Sequence, residues 1–208
     1  MNTTLHAFSR LLQIMDELRE KCPWDREQTL ESIRNLTIEE TYELADAILN
    51  RDMESVKKEL GDLLLHIVFY SKIASESGDF NIKDVIDAIC EKLIFRHPHV
   101  FGDVKADTPS QVVENWEQIK MKEKEGNRTV LSGVPKSLPA LIKANRIQEK
   151  VRAVGFDWDE RTQVWDKLEE EINELKNAAE SGDQASIENE FGDVLFSVVN
   201  AARLYNVD

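Results

Sequence analysis

The chain has 208 residues, a formal net charge of -14 at pH 7 and two cysteines, Cys22 and Cys90. So acidic a chain would repel a phosphate backbone, which argues against a nucleic-acid partner unless a cation reverses the charge locally. The cysteines do not form a C-x-x-C pair, the N-terminus lacks the apolar core of a signal peptide, and no segment reaches the length of a membrane span. We therefore expect a cytoplasmic protein with reduced thiols and no membrane partner.

The first predicted element is an amphipathic helix. Apolar residues recur at intervals of three and four from Leu5 to Leu18, which is the spacing of one helical face. The stretch Cys22-Pro23-Trp24-Asp25 ends this helix, because proline disfavours helix at the residue before it. Trp24 is interpreted either as a plug over the core or as a base-stacking surface, and burial in the core is the commoner role of a large aromatic residue.

Two helices joined by a short turn follow. The first begins at Thr29 or Asn35, and the second extends from about Met53 to Ser75. Turn-forming residues at 50–52 lie between them, so the second helix folds back on the first as an αα-hairpin. The apolar surface of the second helix is broader than one packing partner requires, and this predicts a homodimer.

Each helix of the hairpin carries a pair of acids spaced three residues apart, Glu40 with Glu43 and Glu59 with Asp62. Such pairs share a helical face, so the hairpin directs carboxylates from both helices at one point and predicts a metal site. The alternative is a solvated acidic face, with Glu40 used in a capping box that begins at Thr37. The metal interpretation is favoured because Asp62 borders an apolar face, where an ionised acid needs a compensating cation.

Basic residues follow the acid hairpin. The helix from Ile82 to Phe95 is continued by Arg96, which lies four residues after Lys92. This pair either complements the helix dipole or meets phosphate oxygens. Trp116 and Lys120 have the same spacing on a later helix.

The second half of the chain is also predicted to be helical. A helix from Thr108 to about Glu125 is followed by a stretch rich in glycine and proline, which is typical of a linker. Further helices are predicted at 138–151, 164–179 and 187–204, and no strand alternation is found. The predicted fold class is all-α, with antiparallel helical hairpins assembled as bundles. We predict a first helical domain at 1–125, a linker at 126–137 and a second helical domain at 138–208.

The acid pattern occurs twice. Glu170-Glu171-Ile172-Asn173-Glu174 precedes Glu190-Phe191-Gly192-Asp193 with the same gap as in the first set, and one constant offset along the chain relates every acid to its counterpart. A second metal site is therefore predicted at Glu171, Glu174, Glu190 and Asp193. If the substrate is a polyphosphate, acidic residues hold it only through divalent cations, most naturally Mg²⁺.

Several of these motifs together resemble the MazG family of nucleoside triphosphate pyrophosphohydrolases. They are Glu39-Glu40-x-x-Glu43 with Glu59-x-x-Asp62, Cys22-Pro23-Trp24-Asp25, Arg96-His97-Pro98-His99-Val100-Phe101 and Trp116-Glu117-x-x-Lys120. The resemblance covers nearly the whole chain. It implies an all-α, generally dimeric enzyme that uses Mg²⁺, or alternatively Mn²⁺, to convert a nucleoside triphosphate to the monophosphate and pyrophosphate. The tandem repeat is similar to the two-domain bacterial members.

The predicted site residues take their roles from this chemistry. The metal ligands are Glu40, Glu43, Glu59 and Asp62 in the first copy, and Glu171, Glu174, Glu190 and Asp193 in the second. Glu39 and Glu170 are assigned to a second metal or to orienting water. The residues assigned to the substrate are Lys92, Arg96 and Lys120 for the phosphates and Trp116 for the base or sugar.

Longer members of the family continue beyond the second acid set with basic and Trp/Lys helices, which have no counterpart after Asp193 in this sequence. We therefore expect any activity of the chain mainly in the first copy. Two alternatives are a non-catalytic helical dimerisation module whose metals are structural, and a related enzyme with a narrower substrate such as dUTP or a phosphoribosyl-ATP. Pyrophosphate release from each nucleotide, with and without Mg²⁺, separates these possibilities.

Overall fold

The computed structural model describes residues 3–106, 108–109, 111–112, 115–116, 119, 129–158 and 160–207. Within these ranges the regular structure is helical and contains no strand, which confirms the all-α class. The predicted helix from Thr108 to Glu125 falls largely outside the described residues. The helices are α1 (Thr3–Lys21), α2 (Pro23–Glu27), α3 (Leu30–Leu49), α4 (Met53–Ser77), α5 (Ile82–Arg96), α6 (Pro98–Phe101), α7 (Ala140–Arg152), α8 (Gln163–Ser181) and α9 (Gln184–Leu204).

The chain divides into two compact units, Met1–Ile94 and Phe95–Asp208. Each unit contains one copy of the acid pattern. The division predicted from the sequence stays a prediction, because residues 120–128, where the first domain would end, are not described. None of the helices in the described ranges is long and apolar enough to cross a lipid bilayer.

The first unit is organised around the α3–α4 hairpin, and α1 packs against α4. Its core consists of the buried side chains of Met15, Ile33, Val68 and Phe69, which come from all three helices. A hydrogen bond of 2.7 Å between Thr37 Oγ1 and the hydroxyl of Tyr70 also connects α3 to α4. These contacts fix how α3 lies against α4 and therefore which of their acids meet.

The start of α3 is set by a capping box. The Thr29 side chain accepts a hydrogen bond from the Ser32 backbone nitrogen at 3.2 Å, and Ser32 Oγ accepts one from the Thr29 backbone nitrogen at 2.9 Å. Thr37 lies inside the helix, and its hydroxyl donates to the carbonyl of Ile33. The alternative of a capping box from Thr37 to Glu40 is therefore wrong, and Glu40 is not used in helix capping.

The connector between α1 and α3 is held by Arg19. Its guanidinium donates to the carbonyls of Asp25 and Gln28 and to the carboxylate of Glu76 on α4, with Nε 2.9 Å from Glu76 Oε1. Trp24, which the sequence favoured as a plug over the core, lies in α2 and keeps 55% of its surface exposed. That interpretation of Trp24 is wrong, because more than half of its surface is exposed.

The second unit repeats the hairpin with α8 and α9, and α7 packs against α9. Asp52 caps α4 by accepting from the backbone nitrogens of Glu54 and Ser55, and Asp183 caps α9 by accepting from that of Ser186. Asp52 and Asp183 are separated along the sequence by the same offset as the two acid motifs. The second helix of each hairpin is therefore capped in the same way, by an aspartate at the equivalent position.

Candidate metal centres

The first acid cluster joins α3 to α4. Glu40, Glu43 and Glu59 each place one carboxylate oxygen within 4.8 Å of the others. Glu59 is buried, Glu40 is half-buried and Glu43 is exposed, so the cluster extends from the helix interface to the surface. Asp62 lies outside this tight set, and its role as a ligand stays a prediction.

Mutual repulsion and burial act on this cluster. Burial raises the pKa of Glu40, and the neighbouring carboxylates of Asp62, Glu43 and Glu59 raise it further. The ammonium of Lys58 opposes this effect, because its Nζ lies 3.0 Å from Glu59 Oε1 and 3.7 Å from Asp62 Oδ2. The first cluster is thus a concentration of negative charge that one lysine partly neutralises.

The second cluster has the same composition. Glu171 and Glu174 from α8 and Glu190 from α9 bring one carboxylate oxygen each within 4.8 Å of the others. Burial raises the pKa of Glu190, and the carboxylates of Glu174, Asp193 and Glu171 raise it further, in that order. Asp193 again lies outside the tight set but within electrostatic reach of it.

A lysine accompanies the second cluster as well. Lys167 Nζ lies 2.8 Å from Glu170 Oε1 and 2.9 Å from Glu171 Oε1, and these hydrogen bonds raise the pKa of Lys167. Glu170, assigned from the sequence to a second metal or to water, is therefore an ion-pair partner of Lys167. Its counterpart Glu39 is exposed and lies outside the first cluster.

The donor set of both clusters fits a divalent cation. All the ligand atoms are carboxylate oxygens, which are the hard donors that Mg²⁺ and Mn²⁺ accept. In each cluster one oxygen, Glu59 Oε2 or Glu190 Oε2, is buried and receives no hydrogen bond from the described residues. A buried carboxylate oxygen without a donor is unfavourable, and a cation between the carboxylates would compensate it.

The residues assigned to the substrate are found in different places. Lys92 is exposed on α5, and Arg96 is half-buried at the end of the same helix. The half-buried Trp116 ring stands edge-on to His97, with 5.1 Å between the ring centroids. Lys120 lies outside the described residues, and the substrate role of all four stays a prediction.

A cavity beside the second cluster was not foreseen from the sequence. It has a volume of about 570 Å³, and its lining includes Glu171, Asp193 and Lys167 together with side chains from α7 and α9. The position of Lys167, four residues before Glu171, is a signal that the sequence does contain. The cavity itself has no such signal, because distant parts of the chain form it.

Comparison with known proteins identifies the family. The profile of the MazG nucleotide pyrophosphohydrolase domain matches residues 28–101 and 160–208, which include both acid clusters. The nucleoside triphosphate pyrophosphohydrolase of Escherichia coli K12 is 46% identical over 206 residues, covering 96% of this chain and 78% of that protein. The nucleoside triphosphate pyrophosphohydrolase/pyrophosphatase MazG of Thermotoga maritima is 48% identical over 204 residues, covering 97% and 77%. The nucleoside triphosphate pyrophosphohydrolase of Mycobacterium tuberculosis is 36% identical over 145 residues, covering 69% and 44%. With both hairpins matched and the identity extending along nearly its whole length, the chain belongs to the MazG nucleotide pyrophosphohydrolase family.

Proposed function

We propose that this chain hydrolyses nucleoside triphosphates to the nucleoside monophosphate and pyrophosphate. The observation that carries the proposal is the tight carboxylate cluster in each unit. The chain that holds these clusters is 46% and 48% identical to two proteins named nucleoside triphosphate pyrophosphohydrolase. In the reaction, the oxygen of a water forms a bond to the α- or β-phosphorus. The bond between that phosphorus and the oxygen that bridges the two phosphates breaks. Pyrophosphate leaves, and the protons of the water are shared between the products and the solvent.

The proposed cofactor is Mg²⁺, with Mn²⁺ as the alternative. A bound divalent cation neutralises the charge of the phosphates and activates water, so no covalent nucleophile is required. Its proposed ligands are Glu40, Glu43, Glu59 and Asp62 in the first unit, and Glu171, Glu174, Glu190 and Asp193 in the second.

The chain also supplies cations of its own. Lys58 and Lys167 each hold an ammonium against a carboxylate cluster, where a triphosphate would arrive. We propose that each lysine transfers its hydrogen bonds from the carboxylates to phosphate oxygens when a cation and a nucleotide bind. Lys92, Arg96, Lys120 and Trp116 keep their proposed roles as phosphate and base contacts.

The two copies receive support from different observations. The basic residues that follow the first acid set favour the first cluster, and the cavity lined by Glu171, Asp193 and Lys167 favours the second. A pocket of several hundred cubic ångströms with apolar walls and a few polar groups is typical of a small-molecule site. We give the cavity greater weight and propose the second cluster as the main nucleotide site. Activity mainly in the first copy, which the sequence favoured, is the alternative that the test below separates from it.

The test is pyrophosphate release from nucleoside triphosphates, with Mg²⁺ and with a chelator. Loss of a metal ligand should reduce the rate on the order of a hundredfold or more, because several kcal/mol of transition-state stabilisation are lost. If the second cluster is the active one, Glu174→Gln abolishes most of the turnover and Glu43→Gln leaves most of it.

Matched controls are Glu180→Gln on α8 and Asp46→Asn on α3, both exposed acids outside the clusters. The reverse ranking of Glu174→Gln and Glu43→Gln would assign the activity to the first copy. Full activity in the chelator, or in a variant that carries both Glu43→Gln and Glu174→Gln, would reject the proposed metal chemistry. No pyrophosphate release from any nucleotide with Mg²⁺ would support a non-catalytic module.

We also propose that a second copy of the chain covers an apolar stripe on each hairpin. Large apolar side chains, each 40–57% exposed, recur at intervals of four and three residues on α4 and again on α9. The sequence offset that relates the two acid motifs also relates each of these positions in α4 to one in α9. The apolar pattern is therefore part of the repeat. The stripe side chains are Leu60, Leu64 and Ile67 on α4 and Phe191, Leu195 and Val198 on α9.

A further inference from the structure

A buried glutamine with an unpaired hydrogen-bond acceptor lies in the lining of the cavity beside the second cluster. Gln148 on α7 is only 3% exposed and lines this cavity. Its Nε2 donates to the carbonyl oxygen of Phe196 on α9 at 2.8 Å. Because a carbonyl oxygen only accepts, this contact fixes which end of the amide is nitrogen.

The hydrogen bond to Phe196 therefore identifies the other end of the Gln148 amide as the oxygen Oε1. This oxygen is buried and receives no hydrogen bond from any described residue. A buried acceptor without a donor is costly, and natural proteins keep such groups where a ligand or an ordered water completes them. The amide cannot rotate to present its nitrogen instead without losing the hydrogen bond to Phe196.

A second amide in the same cavity is fixed in the opposite sense. Asn200 Oδ1 accepts from Arg203 Nε at 3.1 Å and from Arg203 Nη2 at 2.8 Å. Arg203 is held in turn by Asp157, with Nη2 2.6 Å from Oδ1 and Nη1 3.1 Å from Oδ2. Since a guanidinium only donates, Asn200 must point its oxygen at Arg203, which leaves its amide hydrogens for another partner. Asn200 also lines the cavity.

The remaining lining suits a flat heteroaromatic ligand. Phe156, Trp158 and Phe196 contribute aromatic side chains, and Val151 adds an aliphatic one. Bases stack on aromatic side chains, and their edges alternate donors with acceptors, which is what a fixed acceptor and a fixed donor can recognise. The acids that line the same cavity would hold the triphosphate through a cation, so the base and the sugar are the parts of the substrate left to contact the amides.

We propose that Gln148 Oε1 accepts a hydrogen bond from an N–H group of the nucleobase and determines base specificity at the second cluster. This inference rests on the proposed function, because it requires a nucleotide in the cavity. Asp157 and Arg203 are positioning residues that set the direction of the Asn200 amide. A base that lacks the N–H group leaves Gln148 Oε1 unpaired, and binding weakens.

The test compares nucleotides that differ only in this group. ATP is paired with purine riboside triphosphate, which lacks the amino group, and UTP with N3-methyl-UTP, in which a methyl replaces the imino hydrogen. Binding is measured by calorimetry with Mg²⁺, and pyrophosphate release is measured in parallel. For at least one pair, we expect the wild-type protein to bind the nucleotide that has the N–H group at least about ten times more tightly than the nucleotide that lacks it.

The variant Gln148→Met removes the acceptor and keeps a similar side-chain volume. We expect it to reduce the discrimination within that pair to about twofold or less, because neither base then leaves an acceptor unpaired. Gln184→Met, at an exposed position of the same unit, should keep the wild-type discrimination. Inorganic tripolyphosphate has no base, so its binding with Mg²⁺ should be the same in wild type and Gln148→Met.

Each outcome bears on one proposal. Equal binding within both pairs by the wild-type protein, or discrimination that persists in Gln148→Met, would overturn the role of Gln148 and would indicate that a water completes its oxygen. Discrimination in binding without pyrophosphate release would leave the role of Gln148 intact and reject the proposed hydrolysis. The wild-type comparison requires no variant, so a folding defect in Gln148→Met does not prevent the test.

Discussion

At the level of single residues, each cluster holds like charges together, and Glu190 shows the consequence. Its pKa is raised above the ordinary glutamate value of 4.5 by burial and by the neighbouring carboxylates. The folded protein therefore prefers the protonated form of Glu190 more than the unfolded chain does. It follows that the free energy of unfolding falls as the pH rises from about 4.5 through the raised pKa.

The variant Glu190→Gln isolates this contribution, because glutamine resembles the protonated acid at every pH. In a chelator at pH 7, we expect Glu190→Gln to melt at a higher temperature than the wild-type protein. The difference should shrink as the pH is lowered toward 4.5, where wild-type Glu190 binds its proton. This difference in melting temperature is measured by thermal unfolding at several pH values, monitored by circular dichroism.

The control for this prediction is Glu188→Gln, an exposed position on the same helix and outside the cluster. Addition of Mg²⁺ at pH 7 should stabilise the wild-type protein more than Glu190→Gln, since a bound cation favours the ionised carboxylate. A melting difference that is independent of pH would contradict the electrostatic account.

At the level of elements, the two hairpin turns place different residues in the left-handed backbone conformation. Gly182, which ends α8, has a φ of 73°, in the left-handed region. Its counterpart in the turn of the first hairpin is Arg51, which has a φ of 56°. A side chain with a Cβ is strained in this region and glycine is not, so the second turn is the less strained of the two.

We expect Gly182→Ala to lower the free energy of unfolding by about 1 kcal/mol, because alanine resists the left-handed conformation. Arg51→Gly should be neutral or raise the free energy of unfolding by up to about 1 kcal/mol, since relief of strain opposes the greater flexibility of glycine when unfolded. Urea denaturation measures both effects.

The control is Gly192→Ala, in the interior of α9, where an added Cβ meets no atom within 4 Å. There the same substitution should stabilise the protein, because alanine favours helix over glycine by about 1 kcal/mol. Destabilisation at both Gly182 and Gly192 would show that packing around the helix, and not the backbone angle, determines the effect.

At the level of the whole molecule, the repeated apolar stripe is the basis of the proposed dimer. Leu64 on α4 and Leu195 on α9 occupy the same position of the stripe and are 40% and 57% exposed. Apolar surface repeated on two helices at helical spacing is typical of an interface between helices. A covered stripe would remove this surface from water.

We expect light scattering at micromolar concentration to give the mass of two chains of 23.9 kDa each. The double variant Leu64→Glu with Leu195→Glu should shift the mass toward one chain, because charge cannot be buried unpaired in an apolar interface. Leu49→Glu, a side chain that is 75% exposed and lies outside the stripe, is the control. A wild-type mass of one chain would contradict the dimer.

The sequence by itself determined the helices of the two hairpins and the acids that face each other. Helical periodicity, the turn residues at 50–52 and the spacing of Glu40 with Glu43 are local features, so they follow from the geometry of a single helix or turn. The constant offset between the two acid motifs then predicted a second cluster like the first. The tight clusters that the structure shows are formed by residues from these predicted sets.

Only the tertiary structure decided the surroundings of the second cluster. Gln148 meets Phe196 across 48 positions of sequence, and Asp157 meets Arg203 across 46. No periodicity relates such positions, because the packing of one helix on another selects which side chains meet. The same limit applies to Trp24, whose residue type favoured a place in the core and which is exposed in the structure. Local spacing therefore specified the acids, and packing between helices specified the cavity beside them.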